Sequence, residues 1–462
     1  MDDTRGQRAI DEPHAPRRLN RRAALGAAVA GAVGLGGAIG VVRERGSSST
    51  PGRVPVTVWT WQGNAGYKAL LDAAAGFNAS QDEIDVTVVQ RLDVITTFQL
   101  LLTIRSGLGP DLCVGDRSVL AERDAKGICG DIASYLDEAG TTIDLDRDFF
   151  PCAVEDVRIG DRVVGIPLAT TVRVLAVNRS ALTAAGVEVA EWTPAHGPAT
   201  FARLAQVARS LDRADASGML ERAGFVPTFG QGSAYQYLSS WNARYYDETG
   251  CAFTLDTPEA RGAAQWVHDA VQGTGGQRMA ALLQRGQGVI VAPGTPFLRG
   301  EIVFAIVLDQ ELRAIEQSSA GFELGATFVP VPATGEPSRS WATGNALSMM
   351  TGARHPREAF RFMAYMASAD VLERYCMAIE SLPSRKPLPP AVLDALARPP
   401  FVTDSVLPGA VPSSHVPIAT QFGDLLAARW LDMASGAVDV AAGLADLDSE
   451  ANQALADSGL CL

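Results

Sequence analysis

Apolar positions along the chain switch repeatedly between the two-residue repeat of a strand and the three-to-four-residue repeat of a helix. Val54 to Trp61 is rich in β-branched and aromatic residues and predicts a strand. Tyr67, Leu70, Leu71, Ala74 and Phe77 then recur at helical spacing, and Ile84 to Val89 predicts a second buried strand. A helix over Phe98 to Ile104, a short strand over Asp111 to Val114 and a helix over Val119 to Gly127 continue the alternation. Strand–helix–strand order of this kind predicts a parallel or mixed sheet with helices on its faces. Gly160-Asp161 reads as a tight turn, after which β-rich chain runs from Pro167 to Val177. The middle of the chain, residues 198–285, predicts mainly helix, clearest over Phe201 to Leu211, Ala234 to Ala243 and Pro258 to Gln272. Val289 to Ala292 returns to strand, as do Leu324 to Val331 and Ala346 to Met350 around a loop from Pro332 to Thr343. Pro356 opens a helix to Ala367. In the tail, Ile418, Phe422, Leu425, Leu426 and Arg429 share one helical face, and Val440, Leu444, Leu447, Ala451 and Leu455 another, with Gly436 ending the first.

Composition narrows the function classes. The 462 residues are 47% hydrophobic and 20% charged, which is globular, and the length favours two domains or two lobes. Eight of the 39 Lys and Arg and five of the 52 Asp and Glu fall in residues 1–45, leaving 31 basic and 47 acidic residues beyond them and a charge of −16 there. So acidic a body argues against a nucleic-acid partner. None of the three lysines (Lys68, Lys126, Lys386) follows a glycine, so no phosphate loop of the G-x-x-x-x-G-K-[ST] type can be written.

Arg21-Arg22 precede an uncharged stretch from Ala23 to Val42, and Asn20 to Leu25 resembles a twin-arginine export signal. Twenty uncharged residues also suffice to span a bilayer, so residues 1–45 are read as an export signal or an N-terminal membrane anchor, with 46–53 a linker. Either reading places the body outside the cytoplasm, in the periplasm or at the cell surface. No cysteine precedes Cys113, so no lipidated cysteine follows the leader. The six cysteines allow fifteen pairings and no C-x-x-C or H-E-x-x-H spacing occurs, so buried thiols or one to three disulfides are expected and no metal site is.

Several segments then fall in a telling order: Val56 to Trp61, Ile104 to Asp111, Gly160 to Leu168, Val177-Asn178-Arg179, Leu255 to Ala260, Gly286 to Ile290, Phe328 to Pro332, His355 to Phe360, Ser381 to Arg385 and Ala434 to Gly436. Their collinear order resembles the extracellular solute-binding proteins of ABC importers, specifically the sugar-binding family that includes maltose-binding protein. The resemblance implies an α/β fold of two lobes closing on a solute through a hinged cleft. It implies a first lobe of 54–168 plus 285–342, and a second of 169–284 plus 343–462 with the tail helices outside. It implies a carbohydrate ligand, permease subunits in the membrane as separate polypeptides, a monomeric binder and no cofactor.

A sugar site needs aromatic platforms and side chains with paired donors and acceptors. Trp61 and Gln62 stand at the exit of the first strand, with Trp59 on the same face and more readily core. Asp116-Arg117 resemble the acid–arginine pair with which maltose-binding protein holds its sugar, although Asp116 also suits a helix cap. Thr170 and Thr171 stand where that relative carries a sugar-contacting acid, a departure that puts maltodextrin specificity in question. Tyr235 and Trp241 are chosen over Tyr237 for the cleft, Phe297 falls where the relative has a stacking Trp, and Trp341 leads into Gly344 in a loop that commonly lines the family's cleft. Arg385 is the weakest candidate.

The competing classes are a binder of a polyamine or peptide and an exported carbohydrate-active hydrolase. No G-x-S-x-G occurs and the five histidines show no partner motif, so the enzyme class has little support. His355 and His415 beside Pro356 and Pro417 read as helix-entry positions.

Overall fold

A computed structural model describes residues 52–91, 96–138, 143–284, 290–318 and 320–460. The leader reading at 1–45 lies outside the described residues. The first third follows its periodicity, with β1 (Val54–Thr60), α1 (Asn64–Ser80), β2 (Ile84–Gln90), α2 (Thr97–Arg105), β3 (Leu112–Asp116) and α3 (Leu120–Ala125) in succession. Next come α4 (Pro151–Glu155), β4 (Ile166–Thr171) and, after Val172 alone, β5 (Arg173–Asn178). The middle adds α5 (Phe201–Leu211), β6 (Leu220–Gly230), α6 (Ala234–Ser240), α7 (Pro258–Thr274), β7 (Ile302–Leu308) and β8 (Leu324–Thr327). The chain finishes with β9 (Thr343–Met349), α8 (Pro356–Ala367), α9 (Ala369–Ala378), β10 (Leu382–Pro383), α10 (Ala419–Ser435) and α11 (Val440–Ser458).

Two sheets define two lobes. The first has the order β10-β4-β9-β3-β1-β2, parallel among β1, β2 and β3 and antiparallel where β9 lies between β3 and β4. Val56 and Val58 of β1 share a core with α1, α8 and α9, where Phe77 meets Phe362 at 5.3 Å. Trp59 points to the opposite face, among Leu100, Cys113, Ile128 and Met350. A strand covered on both faces loses the polar alternation of a half-exposed one.

The second sheet has the order β8-β5-β7-β6, with the short edge strand Arg213–Ala214 outside β6. Neither β6 nor β7 is expected from the helical reading of 198–285 and the strand reading of 289–292, and 290–292 form turns instead. β6 carries Gly224, Pro227 and two charged residues, which mask it as a strand. Its ladder with β7 slips between Phe304 and Ile306, stepping over Pro227, which cannot donate.

The pairings also correct the expected lobe boundaries. β7 and β8, within 285–342, belong to the second sheet, while β9, β10, α8 and α9, beyond 343, belong to the first lobe. The tail helices α10 and α11, expected on the outside of the second lobe, contribute Phe422, Trp430, Leu444 and Leu447 to its buried core. The chain therefore crosses between lobes three times, at Thr171 to Arg173, between β8 and β9, and between β10 and α10.

Buried polar bonds sew these crossings together. The Asp309 carboxylate accepts from the Val172 amide at 2.9 Å and from Arg398 Nε at 2.7 Å. The Arg173 amide donates to Ser340 Oγ at 2.6 Å, and the second and third crossings exchange bonds, Ala342 N to the Val411 carbonyl at 2.7 Å and Val411 N to the Ser340 carbonyl at 2.8 Å. Cys113, Cys129, Cys152 and Cys376 are buried free thiols, Cys251 is disulfide-bonded, and Cys461 lies outside the described residues. Burial pushes the Cys152 thiol up to about 11 and the Cys129 thiol up to about 12. Among the described residues no helix is long and apolar enough to cross a membrane.

Helix α5 rests on β6 at Gly224, where a Cβ would fall 2.1 Å from the Ala208 carbonyl oxygen. The three atoms in the way, the Ala208 carbonyl oxygen, carbonyl carbon and Cα, are all backbone and cannot swing away. Gly224→Ala is expected to cost about 1–3 kcal/mol, the usual range for overpacking, read as a lower urea midpoint; an unchanged midpoint would rule out this close approach.

Candidate functional site

Ligands of open α/β sheets bind beyond the carboxyl ends of the strands. In the first lobe that edge presents Trp61 and Gln62 after β1, Asp116 at the end of β3 and Thr171 at the end of β4. β9 enters there, with Thr343 paired to Thr171 and Asn345 to Asp116. Gly344 is required by the closeness of β9 to β4, since a Cβ there would lie 1.9 Å from the Ala169 carbonyl oxygen.

The expected site residues separate on this edge. Trp61 and Asp116 are half-buried at it. Asp116 caps the turn that follows, accepting from the Ser118 amide and hydroxyl, each at 2.9 Å. Thr171 Oγ1 meets Thr343 Oγ1 at 3.1 Å. Gln62 is buried instead, its Oε1 accepting from the Tyr375 hydroxyl at 2.8 Å.

Arg117 is corrected from a ligand residue to a structural one. Only 2% exposed, it donates through Nε to Asp156 at 2.9 Å, through Nη1 to the Ala169 carbonyl, Thr170 Oγ1 and Ser384 Oγ, and through Nη2 to the Thr343 carbonyl. All three guanidinium nitrogens are engaged by protein groups. Thr170 is buried with it and bonds Ser384 Oγ at 2.8 Å. Phe297 is also corrected, being fully buried edge-on to Phe322 at 5.5 Å. Trp241 packs at 4.4 Å on Phe201 in the second lobe's core. Arg385 holds the first lobe together by donating to the Ala367 carbonyl and to Asp148.

Two expected residues come together. Tyr235 from α6 and Trp341 from the second crossing lie with ring centres 4.7 Å apart. Both line a cavity of about 570 Å³ walled by Tyr245 and Ser239 of the second lobe, Ser413 of the third crossing and Glu155 of the first lobe. Trp341 is held by its indole N–H on Ser413 Oγ at 3.2 Å and by its amide on Gln236 Oε1 at 3.0 Å. Burial holds the Tyr235 and Tyr245 phenols above the usual range, so both stay protonated as donors.

Sequence reading misses Arg173, Tyr245 and the links made by the third crossing. Arg173 stacks 4.2 Å from the Trp341 ring centre and donates to the Trp341 carbonyl at 2.7 Å. A lone charge inside the apolar run from Ile166 to Val177 was the available signal. His415 is no helix entry: its ring bonds the Glu155 carbonyl of the first lobe at 2.8 Å and the Glu248 carboxylate of the second at 3.2 Å. Asp156 accepts from the Ser413 amide at 2.9 Å, and Glu122 of α3 accepts from the Thr420 amide at 2.8 Å. Among the described residues no group of three His, Cys, Asp or Glu is placed to hold a metal ion.

Two α/β lobes joined by three crossings, with an aromatic-walled cavity at their junction, define a hinged binding protein. Residues 72–400 match the family of bacterial extracellular solute-binding proteins, and the chain belongs to it. That family binds solutes rather than catalysing reactions. No curated protein matches the sequence. Among solved structures the chain is similar to the sugar-binding protein MalE from Xanthomonas citri, with 16% identity over 88% of this chain and 98% of that one and a TM-score of 0.70. It is similar to CpMnBP1 with mannotriose bound, at 18% identity over 86% and 100% and a TM-score of 0.69. It is also similar to UgpB from Mycobacterium tuberculosis in complex with glycerophosphocholine, at 16% identity over 88% and 100% and a TM-score of 0.67. At these identities the likeness is one of fold.

Arg117→Ala would leave the Asp156 carboxylate buried and uncompensated. It is expected to lower stability by about 3–5 kcal/mol, the cost of breaking a buried pair, seen in urea unfolding. A stable variant with weakened ligand binding would instead return Arg117 to the site.

Proposed function

We propose that this protein is the substrate-binding component of an ABC importer that captures a carbohydrate between its lobes and hands it to membrane permease subunits. The observation that carries the reading is the Tyr235–Trp341 pair at 4.7 Å in a cavity bounded by both lobes and edged with hydroxyl groups. Aromatic faces suit the apolar C–H faces of a sugar, and Ser239, Ser413 and the Tyr235 phenol suit its hydroxyl edges. A cavity of this size falls within the range of small-ligand sites. Trp61, Asp116 and Thr171 on the first sheet's edge are the opposing contacts in this reading. A solute touching both lobes favours the closed form over the open one, and that difference is what a permease can sense. The protein works outside the cytoplasm as a monomer, exported by or anchored through residues 1–45.

The alternative solute is non-sugar, and the fold's occurrence with glycerophosphocholine in UgpB keeps it in the test. The protein without residues 1–45 is heated with mono-, di- and oligosaccharides, with glycerophosphocholine, polyamines and peptides beside them. A binding saccharide is expected to add about 2.7 kcal/mol of stability at a hundredfold excess over Kd, and to remain chemically intact. A shift confined to the other classes would replace the carbohydrate. Trp341→Ala is expected to weaken saccharide binding by about 1–3 kcal/mol, the worth of one aromatic contact with its burial, by isothermal titration.

A further inference from the structure

The hinge holds a buried arginine that no carboxylate touches among the described residues. Arg173 is 4% exposed, yet its side chain meets only neutral acceptors: Nη1 donates to the Trp341 carbonyl at 2.7 Å and to Thr343 Oγ1 at 3.1 Å. Among the described residues Nε is buried with no acceptor and Nη2 bonds no protein group. The contrast with its neighbours is direct, since Arg117 reaches Asp156 at 2.9 Å and Arg398 reaches Asp309 at 2.7 Å. Among the described residues no carboxylate forms an ion pair with Arg173.

Asp116, Glu311 and Asp309 act on Arg173 through charge, but none touches it: Asp309 pairs with Arg398, while Asp116 and Glu311 keep their charge and bond neutral groups. Asp116 accepts from Ser118, Glu311 from the Leu308 amide at 2.7 Å, and Asp309 from Arg398 and the Val172 amide. Their pull does not offset burial, which lowers the Arg173 guanidinium to about 10. Nε and Nη2 form one side of the guanidinium fork, the side that takes two oxygens of a single anionic group. The position is a functional one: Arg173 opens β5 directly after the first crossing, stands beside Thr343 at the first sheet's ligand edge, and stacks on the cavity-lining Trp341.

We infer that Arg173 is the specificity-determining residue of the cleft and that the captured saccharide carries an acidic group, received by the free Nε–Nη2 side of the fork. This rests on the carbohydrate reading above and refines it. A neutral hydroxyl could accept one of these bonds but would bring no counter-charge. A carboxylate or a phosphate brings both oxygens and the charge.

The test uses the protein without residues 1–45 and matched probes: uronic-acid oligosaccharides, sugar phosphates and the neutral sugars of the same ring and linkage. Isothermal titration is expected to show at least one acidic member binding ten times or more as tightly as its neutral counterpart. Whether the uronate or the phosphate arm responds identifies the source of the charge. Arg173→Gln is expected to abolish that preference, read as the ratio of acidic to neutral affinity within the same variant, and Arg173→Lys to restore it only in part, since an ammonium lacks the planar fork. Equal binding of acidic and neutral members by the unmodified protein overturns the inference and leaves the carbohydrate reading standing, whether or not the variants fold. An acidic preference retained in Arg173→Gln removes this residue from the role. Failure of every saccharide, neutral and acidic alike, overturns both readings together.

Discussion

Asp309 accepts from the Val172 amide on one carboxylate oxygen and from Arg398 on the other, and much of the interlobe architecture follows from why such a bond is needed. A chain segment leaving one sheet for another abandons its ladder before it gains the next. Its amides are buried with no strand beside them, and a buried amide without an acceptor is costly. In this protein side chains supply the acceptors: Asp309 for Val172, Ser340 for Arg173 and Asp156 for Ser413, and Glu122 likewise takes the amide of the exposed Thr420 in the first turn of α10. The acids are charged and buried in turn, so arginines accompany two of them, Arg398 and Arg117. An arginine reading as a ligand contact from its place in the chain is thereby absorbed into the hinge.

The fold was legible where neighbours in sequence decide the structure. β1, α1, β2 and α8 announced themselves through spacing, and so did the tail helices, because each buries one face against elements whose nature does not alter its own period. β6 was not legible, and β7 was passed over although Ile302 to Leu308 is an unbroken apolar run. Gly224 and Pro227 obscure β6, and only its slipped pairing with β7, some eighty residues away, makes a strand of it. The lobe boundaries failed for a related reason: the second and third crossings hand β9, α8 and α9 back to the first lobe, and no local signal marks a crossing.

The site was legible in part. Trp341 was chosen from the loop that lines the cleft in the resembled family and Tyr235 from its place on a helical segment, and the two rings meet at the cavity. Phe297 and Trp241 carry the same chemistry but are covered by Phe322 and Phe201, which periodicity cannot show. Arg117 and Arg173 make the sharper contrast. Both follow strand ends on the same edge, and what separates them is whether a carboxylate distant in sequence, Asp156 in the first case, folds up against the guanidinium.

The four buried thiols have a consequence for covalent integrity. Disulfide exchange proceeds through the thiolate, and burial holds Cys129 and Cys152 so far above neutrality that almost none forms. Cys251 carries its disulfide in the same molecule. While the lobes stay folded, the free thiols cannot attack that bond or be captured by an oxidant from solvent, so the chain keeps a mixed redox state in an oxidising medium through packing alone. Unfolding would release four competitors for the cross-link at once, and the native pairing is in this sense guarded by the hydrophobic core.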